Sequence, residues 1–148
     1  MKPIHQTLFA AALAACAAAA QAQMTPVGTW RTIDDSTGQA KSEVVITEDA
    51  NGVLTGHIEK LLRPGADPNE LCTRCPGDRK DKPMVGLEII RGAKKAGHMD
   101  MWDNGYILDP EKGSSYGLEL TPANGGQQLM VRGSYGPFSR TQTWVRVK

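Results

Sequence analysis

Apolar and polar residues alternate in short runs along this chain, and residues that favour tight turns separate the runs. Val145 and Val147 fall on one face of a segment whose other face carries Gln142, Trp144 and Arg146. Leu54, Ile58 and Leu62 share a face that Lys60 interrupts. A period of two over such short segments marks half-buried strands. Strands are expected at 28–33, 43–48, 53–62, 84–91, 99–102, 106–108, 116–121, 129–135 and 141–147, with no amphipathic helical stretch of useful length among them. The linkers are Asp35-Ser36-Thr37-Gly38, Asp49-Ala50-Asn51-Gly52, Lys94-Lys95-Ala96-Gly97, Asp103-Asn104-Gly105, Pro110-Glu111-Lys112-Gly113 and Asn124-Gly125-Gly126. They supply the Gly, Asn or Asp that a hairpin needs for positive φ.

The expected fold class is therefore all-β. Eight or nine sequential antiparallel strands joined by hairpins make an up-and-down meander, and closing it into a β-barrel removes its unpaired edges. One connection, residues 63–83, is too long for a hairpin and holds both Cys72 and Cys75, which suits a lid, a binding loop or a compact Ω-type loop. A helical turn is expected over 68–72, with Asp67 as its cap and Pro68 at the first helical position.

The amino terminus has a different character. Lys2 precedes an apolar run over residues 8–20, and Ala20-Gln21-Ala22 presents small residues where a signal peptidase cuts. Residues 1–22 are expected to be a signal peptide and residues 23–148 a single β-barrel domain, periplasmic or secreted. The run is too short and alanine-rich for a membrane span, which wants roughly 20 strongly apolar residues, so an integral membrane protein is not expected. Leu13-Ala14-Ala15-Cys16 also has the pattern that precedes a lipid-modified cysteine, leaving a lipoprotein anchored through Cys16 as the alternative. Loss of Lys2 brings the 17 basic residues level with the 16 acidic ones. A neutral domain carries no electrostatic footprint for nucleic acid or for anionic lipid.

Cys72 and Cys75 stand as an isolated pair in an exported chain, where a disulfide is the default state. Arg74, Arg79 and Lys80 would favour thiolate, so thiol-redox chemistry is an alternative use of the pair. Zinc would need two further ligands, and His57 and His98 lie outside any recognised spacing, so no metal is expected. Glu59 and Glu119 are the carboxylates that a hydrolytic reading would pair, although acids on strands usually sit on the solvated face. No nucleophile elbow, P-loop, dinucleotide fingerprint or Ser/His/Asp pattern is present, and neither a catalytic residue nor a cofactor is assigned. In the late strands Arg132, Gln142, Trp144 and Arg146 are candidates to line a barrel interior, as the few polar groups that orient a ligand in an apolar cavity.

The segments Gly28-Thr29-Trp30, Asp34-Asp35, Leu61-Leu62-Arg63-Pro64-Gly65, Cys72-Thr73-Arg74-Cys75-Pro76-Gly77-Asp78-Arg79-Lys80, Ile107-Leu108-Asp109-Pro110, Val131-Arg132-Gly133 and Arg140-Thr141-Gln142-Thr143-Trp144 stand out along the chain. Together they resemble the bacterial domain family of unknown function DUF2147. The resemblance covers essentially the whole mature chain and implies export and a lipocalin-like, or calycin, barrel rather than a reaction. Gly28-Thr29-Trp30 is also similar to the lipocalin Gly-X-Trp element. That likeness implies that Trp30 closes the barrel floor and that a last-strand arginine, with Arg146 as the candidate, packs over it.

The leading functional expectation is a protein that binds a small apolar or amphipathic ligand, or an envelope component, through Arg132, Gln142 and Trp144, with the Cys72–Cys75 loop ordering the mouth. The alternatives are a solid barrel that docks an envelope protein through residues 63–83, and a thiol-redox or hydrolytic enzyme. A void well above one water volume separates the first reading from the second.

Overall fold

The computed structural model describes residues 24–148. The expected signal segment, its cleavage point and Cys16 lie outside the described residues. Eight strands follow in order: β1 (Gly28–Ile33), β2 (Ala40–Glu48), β3 (Leu54–Leu61), β4 (Glu88–Lys95), β5 (Trp102–Asp109), β6 (Ser114–Ala123), β7 (Gln128–Tyr135) and β8 (Phe138–Arg146). Each pairs antiparallel with the next, and β8 returns to β1, which closes the up-and-down barrel that the turn chemistry predicts.

Nine expected segments resolve into eight strands because Asp103-Asn104-Gly105 is not a turn. It lies inside β5, where the register with β6 shifts between Trp102 and Gly105. Asn104 has φ 60°, and a Cβ on Gly105 would lie 2.5 Å from the Ala93 nitrogen, so the bulge needs a residue tolerant of positive φ followed by glycine. A second bulge explains Lys60. Pairing passes from Glu43 opposite Lys60 to Val44 opposite Ile58, leaving Glu59 as the extra residue. The parity resets there, so Leu61 rather than Leu62 faces the interior.

β4 begins four residues later than expected because the segment before it is held by the long connection and turns on itself: Met84 donates to the Glu70 carbonyl at 2.8 Å and Leu87 to the Met84 carbonyl at 3.2 Å. Asp67 acts as a cap, accepting from the Asn69 amide at 2.8 Å, but the turn closes on itself and no helix follows. The helical residues of this connection form a single 310 turn at Gly77–Arg79. A bridge between Leu71 and Pro83 ties its two arms together, and Cys72 and Cys75 are buried beneath it with Met84 and Leu87.

Candidate functional site

The two ends of the barrel are built differently. At one end the head of β1 meets the tail of β8, and the fully buried Trp30 fills the interior. Its indole Nε1 donates to the Pro26 carbonyl at 2.7 Å. The Arg146 guanidinium lies 4.2 Å from the Trp30 ring centroid and donates to the carbonyls of Gly126 at 2.6 Å, Val27 at 3.0 Å and Thr25 at 2.7 Å. Gly28 makes room for it: φ is 141°, and a Cβ there would fall 2.4 Å from Arg146 Nη1. Burial lowers the Arg146 pKa from its ordinary value. Trp30 and Arg146 thus take the floor positions expected from the sequence, and Arg146 also ties the segment at Thr25 and Val27 and the β6–β7 turn at Gly126 to β8.

At the opposite end the barrel is hollow. A cavity of about 360 Å³ opens there, with Ile58, Leu61, Ile107, Val131 and Trp144 among its apolar walls and Thr32, Ser42 and Gln142 among its polar ones. This void is far above one water volume and overturns the solid-barrel expectation. Charged residues ring the mouth. Lys41 Nζ is 3.3 Å from a Glu111 carboxylate oxygen and 4.0 Å from one of Asp34. Arg63 lies 3.3 Å from Glu111 and 2.7 Å from Glu70. Arg140 pairs with Asp35 across the β1–β8 seam. The Arg140 hydrogen bond holds the Asp35 carboxyl below its usual range, and the Gln142 amide adds to the effect. The Ser36 hydroxyl, with the amide and hydroxyl of Thr37, holds Asp34 well below it. Tyr135 and Phe138, directly opposed at the tip of the β7–β8 hairpin, stand at the rim 72% and 76% exposed.

Of the residues expected in a ligand site, Gln142 and Trp144 line this cavity, and the Trp144 indole donates to Gln142 Oε1 at 3.0 Å. Arg132 does not. Leu129, Val131 and Gly133 are the inward residues of β7, so Arg132 projects outward, 3.2 Å from Ser139 Oγ and 4.0 Å from Glu119. Cys72 and Cys75 form the expected disulfide, but their sulfurs are buried and lie outside the cavity lining. The bridge buttresses the β5–β6 turn instead: Cys72 Sγ is 3.5 Å from the Pro110 carbonyl oxygen, and Arg74 donates to the Glu111 carbonyl at 3.2 Å. Reactive thiol chemistry needs access that this burial denies.

His57 faces Glu88 at 3.7 Å, and among the described residues no group of three or more His, Cys, Asp or Glu side chains could hold a metal ion. Glu59 and Glu119 sit on β3 and β6, which do not adjoin. Asp35, Lys41, Arg63, Glu111, Tyr135, Phe138 and Arg140 carry no local sequence signal of a place at the mouth, because mouth residues declare themselves only once distant turns meet.

Among the described residues no helix is long and apolar enough to cross a membrane. A solved structure described as protein HP1028 from the human pathogen Helicobacter pylori, of the lipocalin family, is similar to this chain with a TM-score of 0.69 and 19% identity, covering 82% of each chain. At that identity the likeness establishes the fold: a lipocalin-like barrel. Comparison with curated proteins finds no match. The family model for DUF2147, described as an uncharacterized protein conserved in bacteria, matches residues 28–146, and the chain belongs to that family.

Proposed function

We propose that this protein is an exported carrier or receptor that takes a small, partly apolar molecule into the open half of its barrel. The observation that carries the reading is the cavity of about 360 Å³, apolar on most of its wall and open at one end. Its size falls within the roughly 300–1,000 Å³ of small-molecule sites, and a few converging polar groups on apolar walls are how such sites orient a ligand. The signal pattern at residues 1–22 supports work in the periplasm or outside the cell, free or anchored through Cys16. Gln142 and Trp144 contact the ligand, while the disulfide-clipped loop keeps the β5–β6 side of the mouth in place.

Trp144 is the tryptophan in the cavity lining, so its fluorescence reports occupancy. Titration with anilinonaphthalene sulfonate should shift Trp144 emission and saturate. Val131→Phe, which pushes a ring into the void, should weaken that binding about tenfold or more while leaving the circular dichroism of the barrel unchanged. A wild-type protein that binds no such probe, and that carries no retained molecule when native mass spectrometry is run on material from its own cells, would defeat the reading.

A further inference from the structure

The cavity is divided lengthwise. Thr32, Ser42 and Gln142 come from β1, β2 and β8, three strands that adjoin in the closed barrel. The rest of the wall carries Ile107 from β5, across the barrel, and Ile58 and Val131 from β3 and β7, which flank the polar strands. Below the charged rim and above the Trp30 floor, three polar groups therefore share one side, while Tyr116 of β6 lines another.

The buried hydroxyl pair is the informative part. Thr32 and Ser42 face each other across the β1–β2 ladder, with Thr32 Oγ1 3.0 Å from Ser42 Oγ. Thr32 Oγ1 also accepts the Ser42 amide at 3.1 Å. Two hydroxyls bring two protons, and their mutual bond uses one, so the pair retains one proton and lone-pair capacity beside the void. Two valines would fill the same positions without a polar group to satisfy. Gln142, one inward step above Trp144 on β8, continues the same side.

Building on the carrier reading above, we propose that the ligand is polar along its flank: an apolar chain with a hydroxyl or carbonyl partway along it, held by the Thr32–Ser42 pair and Gln142. Its apolar side lies on Ile58, Ile107 and Val131. A molecule polar only at its end would leave this stripe, and the hydroxyl proton the pair retains, facing hydrocarbon.

The test uses dodecanoate, a mid-chain hydroxydodecanoate and the ω-hydroxydodecanoate, each displacing anilinonaphthalene sulfonate from the full mature chain. All three share carboxylate and chain length, so contacts at the rim cancel. The mid-chain hydroxyl should improve displacement about tenfold over dodecanoate, and the ω-hydroxyl should weaken it. In the Thr32→Val/Ser42→Ala variant the advantage should vanish, with dodecanoate now the better competitor. Dodecanoate binding as well as or better than the mid-chain alcohol in the wild type would overturn the lateral polarity while leaving the carrier reading intact. Failure of every compound and of the probe would reject both.

Discussion

The β1–β8 seam is closed in two ways along its length. Near the floor it is a backbone ladder, with Trp30 opposite Arg146 and Arg31 opposite Val145, reinforced where Val147 donates to the Thr29 carbonyl at 2.8 Å. Towards the mouth that pairing stops, and the two edges are joined by side chains alone. Arg140 of β8 pairs with Asp35 of the β1–β2 turn. The difference separates stability from access. Buried aromatic surface and backbone bonds concentrate where nothing needs to enter, while the ligand-facing half relies on exposed ion pairs, which contribute only about 0–1 kcal/mol each. Local opening should therefore begin at the mouth.

The largest effect should come from breaking the floor. Trp30→Ala removes a fully buried indole and should cost about 3–5 kcal/mol. Arg146→Ala loses the ring contact and three charge-assisted bonds to carbonyls, so roughly 2–3 kcal/mol is expected rather than the small loss of a mere stacking partner. Urea unfolding of both single variants and the double should show coupling of about 0.5–2 kcal/mol. Zero coupling would mean that the two residues act separately and that the floor is not one unit.

A smaller effect should follow from releasing the mouth-side staple. Replacing Cys72 and Cys75 by Ala removes a short loop closure, with an expected loss of about 2 kcal/mol. Because Cys72 and Arg74 touch the Pro110 and Glu111 carbonyls, hydrogen exchange should rise in the β5–β6 turn and in residues 62–87, while β1 and the end of β8 remain protected. Increased exchange around Trp30 as well would mean that the two ends are not independent.

These two ends were unequally legible in the sequence. Gly28-Thr29-Trp30 and Arg146 were legible at the floor through their likeness to the lipocalin Gly-X-Trp element, and the structure gives the reason that pattern suits the positions: the glycine leaves room for the stacked arginine. Positive-φ residues announce most hairpins, but the same residues also build bulges. Asp103-Asn104-Gly105 therefore looked like a turn inside β5, and the extra Glu59 turned Leu61 inward in place of Leu62. Alternation alone left the inward faces of the late strands open. Register decides them: Val131 pairs with Gln142 on the cavity side and Arg132 with Thr141 on the outer side. The latch was out of reach of local pattern, since Asp35 and Arg140 are 105 residues apart.

The smallest effect, and the sharpest probe of the mouth half, is at that latch. Arg140 holds the Asp35 carboxyl below its ordinary value, so the folded protein binds that proton more weakly than the unfolded chain does. The stabilisation is therefore fully present above the ordinary carboxylate pKa of about 3.9 and is lost as pH falls through the lowered folded value. Asp35→Asn should cost less than about 1 kcal/mol at pH 7, because Arg140 is half exposed and its ion pair is screened by solvent and salt. Asp34 and Asp78 are also held low, by hydroxyl and amide donors and by Arg91 respectively, so wild-type stability falls in acid for several reasons. The difference between wild type and Asp35→Asn isolates the latch: it should be greatest near neutrality and shrink towards zero in acid. Amide exchange should also distinguish the two parts of β8, with residues 140–143 opening faster in Asp35→Asn and residues 144–146 unchanged. Faster exchange through the whole strand would show that the mouth and floor of the seam open together, and the division between an anchored half and an accessible half would fall.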